Sequence, residues 1–250
     1  MANADQVKKW RRTRRAELVA RRLAVSAATR RRWSARIVDF LVGGFAALAD
    51  RPIGVYAPFR GEPDVQAAID HWRAAGSTTA LPVVTSRGAP LEFRAFGPDV
   101  RMRKGVFALP IPQGTPVVVP EGLLIPMVGF DTLGYRLGHG GGYFDRTLAA
   151  LAPSPVKIGI AFELSRVATI RPQAHDIPMD FIVTEAGIHA VTTAGLELVD
   201  DSGRIDASVR TLLSRRVASA FAPAKVGAAG DEIRACASPP CYAHELEGDD

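Results

Sequence analysis

The sequence predicts an α/β fold, a single three-layer α/β/α domain around a mostly parallel (mixed) sheet. Three observations carry that expectation. Short apolar runs alternate with helix-periodic segments, the pattern of strands covered by helices on both faces. The chain has 250 residues, 47% of them hydrophobic, enough for one large core and short for two independent domains. A glycine-dense block at 129–146 follows an apolar run and precedes a helix-like segment. Ligand loops of such sheets lie at the carboxyl ends of strands.

The elements follow in order. Leu18, Val25 and Ala28, with Val7 and Ala24 nearby, mark a helical stripe across 6–25. Ser26 can cap a second helix, which Trp33, Ile37, Phe40, Leu41 and Phe45 continue. Residues 52–57 read as a first buried strand ending at Pro58, and 63–75 as a helix with proline at its start. Strands are expected at 79–84, 91–96, 117–119, 123–128, 157–162 and 181–183, and a helix at 143–151. Past Leu198 the composition changes, with a helix expected over 208–221 and Ala, Gly, Pro and charge beyond it. The chain is therefore read as a domain over 1–200 and a C-terminal extension over 201–250, poorly ordered from about 222.

The net charge of +5 is uneven: ten arginines lie between Arg11 and Arg36, and residues 245–250 are acidic. A basic amphipathic start calls for an anionic partner, which could be nucleotide phosphate, a carboxylate ligand or nucleic acid. Cys236 and Cys241 offer neither a disulfide framework nor a four-ligand metal spacing, so a reducing cytosol is the default. No apolar run reaches about 18 residues, so no membrane span is expected. An Arg-rich, acid-poor start could pass for an organellar transit peptide, but its helical pattern runs on into the fold without a break. A cytoplasmic monomer is expected.

In the glycine block, Gly129, Gly134, Gly138, Gly140, Gly141 and Gly142 fall between Asp131, Arg136 and Asp145. Glycines allow positive φ and close approach of backbone to ligand, and successive turned amides form a concave anion site. A strand, a glycine loop and a helix N-terminus together suit phosphate, because unpaired first-turn N–H groups and the helix dipole both favour negative charge. Arg136 would add a fixed charge and Asp145 could hold a divalent metal against phosphate oxygens. The competing reading is a flexible loop with an acidic residue at a helix start.

The same block resembles the signature of the 5-formyltetrahydrofolate cyclo-ligase (methenyltetrahydrofolate synthetase) family, complete except for Phe144 where a second tyrosine usually lies. Residues 175–185, from His175-Asp176 through Asp180 to Thr184-Glu185, resemble the family's second block, and the resemblance spans about 8–190. It implies a Rossmann-like domain of the sugar-isomerase/CoA-transferase-like type. It also implies ATP- and Mg²⁺-dependent cyclisation of 5-formyltetrahydrofolate to 5,10-methenyltetrahydrofolate, with release of ADP and phosphate. The partners would then be a reduced folate and ATP, with no membrane and no nucleic acid.

Residue by residue, the resemblance implies ATP contacts from Arg11, Arg15, Arg136, Gly138, His139, Gly140, Gly141, Gly142, Tyr143 and Asp145. Arg11 and Arg15 lie one helical turn apart. Arg11 stands where the family has a lysine, and Lys8 or Lys9 could serve instead. Arg22 and Arg30 carry the same charge elsewhere and serve as controls against a diffuse basic field. Folate contacts are implied for Ala57, Glu62 and Tyr143, and catalytic roles for Arg136 and Tyr143. Asp145 and Asp176 resemble the magnesium ligands, with Asp180 a less certain member and His175 a buried structural histidine. Two competing readings stay open: another enzyme on the same fold, such as a sugar-phosphate isomerase or CoA-transferase relative, and a nucleic-acid-binding module using the Arg-rich start.

Overall fold

The computed structural model describes residues 4–105 and 109–220, with side chains to 216. The stretch expected to be poorly ordered, from about 222, and both cysteines lie outside the described residues.

The core strands form because their residues are apolar on both faces. Strands β1 (Ile53–Gly54), β2 (Thr79–Val83), β3 (Glu92–Ala95), β4 (Met102–Lys104), β5 (Pro110–Pro112) and β6 (Gly122–Pro126) come first. They are followed by β7 (Gly129–Asp131), β8 (Arg136–Leu137), β9 (Val156–Ile160), β10 (Arg166–Val167), β11 (Phe181–Thr184), β12 (Gly187–Thr192) and β13 (Gly195–Val199). The main sheet has eight strands in the order β13-β12-β11-β9-β6-β1-β2-β3. Its five central strands are parallel; β3 and β12 run against them, and β13, antiparallel to β12, closes the edge beyond it. A mixed, mostly parallel sheet with flanking helices is the predicted α/β class.

Alternation along the strands sorts the core into two layers. Leu124, Ile158, Ile160, Phe181 and Val183 point to one face, where helices α2 (Ala27–Gly44), α3 (Gln66–Ala74) and α5 (Ser202–Ala220) cover them. Leu123, Ile125 and Ile182 point to the other, under α4 (Tyr143–Ala150). Ser26 caps α2 as expected, its hydroxyl accepting from the Thr29 N–H at 3.1 Å. Helix α1 (Ala4–Leu23) lies across the carboxyl edge of the sheet, with Leu18 packed against Val128, Leu137, Val167 and Ile170.

Three expectations change. Residues 117–119 make a single bridge, Val117 to Arg94, with Val117 and Val119 exposed. The 123–128 run stops as a strand at Pro126, and the chain then turns into a small sheet of β10, β7 and β8. Helix α5 begins earlier than its periodicity suggested, where Asp201 accepts from the Gly203 N–H at 2.8 Å, and it buries Ile205, Val209 and Leu213 in the main core.

Candidate active site

The chain leaves β1 toward β2 on one side and leaves β6 toward β9 on the other. That reversal opens a crevice at the carboxyl ends of β1 and β6. The loop after β1 carries half-buried Ala57 and a tight turn closed by the Glu62 N–H donating to the Phe59 carbonyl at 3.2 Å. The chain after β6 forms the β7–β8 hairpin and then the glycine loop over 138–142.

Asp131 shapes that hairpin. Its Oδ1 accepts from the N–H groups of Leu133 (3.1 Å) and Tyr135 (3.0 Å), and its Oδ2 from Ile170 (3.1 Å). The buried carboxylate is thus committed to the turn at Gly134, whose φ of 81° suits glycine. Gly142 takes φ 63° as the N-cap of α4, which directs the helix's unpaired first-turn N–H groups at the loop. Arg146 donates to the Gly141 carbonyl at 2.7 Å and lies 5.0 Å over the Tyr143 ring. Buried Arg136 lies 5.7 Å over Phe144 and donates to Asp145 Oδ1 at 2.9 Å.

Helix α1 runs along the whole crevice, and its buried face is Val7, Arg11, Leu18 and Arg22. Two arginines in a buried stripe need polar partners, because burying an unpaired charge is expensive. Arg11 donates from Nε to the Ile170 carbonyl (3.0 Å), from Nη2 to the Arg171 carbonyl (2.9 Å) and from Nη1 to Asp176 Oδ1 (3.2 Å). Its Nη2 also pairs with Asp176 Oδ2, which accepts from the Gln173 N–H at 2.6 Å. Burial alone would raise the Asp176 pKa, but these hydrogen bonds and the Arg11 charge hold it below its ordinary value. One turn along, Arg15 Nε donates to the Gly138 carbonyl at 2.8 Å.

At the far end, Arg22 is 1% exposed. It donates from Nε to the Arg60 carbonyl (3.0 Å) and from Nη1 to the Met127 carbonyl (3.2 Å), with Nη2 3.7 Å from Glu62 Oε1. Burial lowers the Arg22 pKa and the Glu62 charge opposes that shift. The Glu62 side chain is 2% exposed; Oε2 accepts from the Phe59 N–H at 3.0 Å and Oε1 from His139 Nε2 at 2.9 Å. Tyr56 donates to the Pro63 carbonyl at 2.8 Å. Burial first, then the Glu62 charge, raise its pKa well above the ordinary phenol value, which keeps it a neutral donor.

The structure therefore brings Arg15, Gly138, His139 and Glu62 together, with Arg136 paired to Asp145 on the loop's helix side. Arg11 and Asp176 meet each other instead, and Lys8 and Lys9 are exposed. Asp180 accepts from both the backbone N–H (2.7 Å) and Nζ (2.8 Å) of Lys157, at the start of β9 and away from the carboxyl edge. His175, expected to be buried, has a side chain 71% exposed. Arg22, taken only as a control for charge, is the residue that sequence reasoning missed. Its signal was position: it lies one turn beyond Leu18, on the face that Val7 and Leu18 define.

The chain is similar in sequence and in fold to known proteins. A model of the 5-formyltetrahydrofolate cyclo-ligase family matches residues 7–185. The 5-formyltetrahydrofolate cyclo-ligase of Escherichia coli K12 is 30% identical over 143 residues, covering 54% of this chain and 79% of that protein. The enzyme of the same name from Mycolicibacterium smegmatis is 28% identical over 145 residues, covering 55% and 75%. In structure, the 5,10-methenyltetrahydrofolate synthetase of Aquifex aeolicus superposes with a TM-score of 0.64 at 25% identity, over 76% of this chain and 96% of that one. With the match extending from the first helix to the end of β11, the chain belongs to the 5-formyltetrahydrofolate cyclo-ligase family.

Proposed function

We propose that this chain is an ATP-dependent 5-formyltetrahydrofolate cyclo-ligase. One observation carries the reading for these residues: a buried carboxylate, Glu62, and a glycine loop at a helix N-terminus meet in one crevice, joined through His139 at 2.9 Å. The carboxylate suits N–H donors of a pterin ring, and the loop suits a polyphosphate. No Ser-His-Asp or Cys-His set is needed, because the reaction asks chiefly for two aligned substrates and neutralised phosphate charge.

In the proposed mechanism the formyl oxygen attacks the γ-phosphorus of ATP and ADP leaves. The N5-iminium phosphate then accepts N10 at its carbon, N10 loses its proton and inorganic phosphate departs, giving the methenyl ring. Arg15 and Arg136, with the loop amides at 138–142, hold the phosphates, and the Tyr143 ring borders the reacting groups. Arg11 serves as a brace for the 170–176 loop, since its donors are directed at Ile170, Arg171 and Asp176.

A magnesium ion would offset charge on the transferring phosphoryl group. Asp145 fits that role, because its hydrogen bond to Arg136 uses Oδ1 and Mg²⁺ commonly takes one or two carboxylates plus waters and phosphate oxygens. Asp176 fits it poorly as placed, with both oxygens engaged by Arg11 and Gln173. Among the described residues no three His, Cys, Asp or Glu side chains cluster as a metal cage, so the site would rely on the nucleotide's own oxygens.

The test is methenyltetrahydrofolate absorbance on adding 5-formyltetrahydrofolate with and without ATP. Product that appears only with ATP supports the reading, and ATP-independent product or none contradicts it.

A further inference from the structure

Glu62 is reached through a single exposed polar side chain. The carboxylate is 2% exposed, while His139, whose side chain is 39% exposed, donates to its Oε1 and packs edge-on to Phe59 at 5.8 Å between ring centroids. The other polar groups at Glu62 are the Phe59 N–H, fixed in the turn, and the guanidinium of Arg22, whose side chain is 1% exposed on α1. His139 can leave. It stands between Gly138, whose Cα faces open space, and Gly140, at φ 100°. It also belongs to the loop that leads into α4 through its N-cap, Gly142.

We propose that His139 occupies Glu62 in place of the pterin donor when the site is empty, and so couples the folate and nucleotide halves. The proposal rests on Glu62 being the folate carboxylate. A pterin N–H needs the position that His139 Nε2–H fills, so folate binding alone must break that hydrogen bond. Polyphosphate bound on the 138–142 amides draws the loop toward α4 and takes His139 off Glu62 beforehand. Each substrate then lowers the cost of binding the other, and the linkage is reciprocal. Histidine supplies this because its ring reaches across from the loop and carries an N–H; a purely apolar side chain at 139 would leave Glu62 uncovered.

Calorimetric titration with 5-formyltetrahydrofolate, with and without a non-hydrolysable ATP analogue, tests it in three proteins. The wild type should bind folate about fivefold or more tightly with the analogue present, the lower end of ordinary coupling. His139→Ala should bind folate alone about fivefold more tightly than the wild type, and the analogue should add less than about twofold. Wild-type binding that ignores the analogue overturns the proposal. So does a His139→Ala variant that binds folate no tighter and keeps its coupling. Glu62→Gln separates the two layers. If it binds folate as well as the wild type, the role of Glu62 itself has failed. If it binds weakly while His139→Ala behaves as the wild type, only the coupling has failed.

Discussion

Arg22 stands where an apolar residue would ordinarily complete the buried face of α1. Its Nη2 has no hydrogen-bond partner among the described residues and lies 3.7 Å from Glu62. The Glu62 carboxylate therefore lies beside a buried guanidinium charge. Removing one member of a buried pair leaves the other uncompensated, at a cost of about 3–5 kcal/mol. Arg22→Met should therefore lose about that much stability in urea denaturation and raise the KM for folate far more than that for ATP. Adding Glu62→Gln should return much of the stability but none of the folate affinity. Wild-type stability and kinetics in Arg22→Met would return this arginine to the diffuse basic field. The comparison position Arg30 donates to the Leu23 and Val25 carbonyls of the α1–α2 junction, so its truncation should spare folate KM.

Helix α1 is the element that organises the site. From Arg11 to Arg22 it rises roughly 16 Å at 1.5 Å per residue, touching in turn the 170–176 loop, Gly138 and Glu62. This separates the roles of the two aspartates. Asp176→Asn should unlatch the loop from α1 and lower stability by about 1.5–3 kcal/mol, the scale of hydrogen bonds to charged groups. It should leave the Mg²⁺ dependence of the rate unchanged. Asp145→Asn should instead raise the Mg²⁺ concentration for half-maximal rate roughly tenfold, equivalent to about 1.4 kcal/mol, with little change in Tm. A Mg²⁺ titration of both variants that finds the larger shift in Asp176→Asn would reverse the assignment. The buried strands were legible because β6, β9 and β11 are apolar on both faces. The edges were not: β4 is exposed throughout, and β13 is part exposed and carries Glu197, so pairing partners rather than composition decide them. The glycine loop was legible by its spacing. The burial of Arg22 was not legible because a charged residue on a buried face shows only in the helical period, and composition alone points it at solvent.

Across the whole molecule, the carboxyl edge of the sheet holds a second polar cluster that sets a pH limit on the fold. Buried His189 on β12 accepts at Nε2 from Arg166 Nη2 at 2.9 Å, and Arg166 pairs in turn with Glu163, which accepts from Thr184 at 2.9 Å. Burial first, then the Arg166 charge, lower the His189 pKa, with Glu163 partly opposing. The unfolded chain then binds a proton near pH 6.5 that the folded chain refuses. Stability is full above about pH 6.5 and falls as pH drops below it, because the unfolded state binds more protons there. Thermal melts of His189→Gln should show a flatter decline than the wild type below about pH 6.5; parallel curves would remove His189 from the linkage.

Under the proposed mechanism the crevice between the main sheet and α1 would take both substrates, and ATP would activate the formyl oxygen itself. Tracing that atom tests the claim directly. With 5-formyltetrahydrofolate labelled with ¹⁸O in the formyl group, one turnover with ATP should deliver the label to inorganic phosphate, because the formyl oxygen becomes the bridge to phosphorus before the ring closes. Label recovered in water with unlabelled phosphate would mean that ring closure expels the oxygen without phosphorylation, and the account of this site would be contradicted.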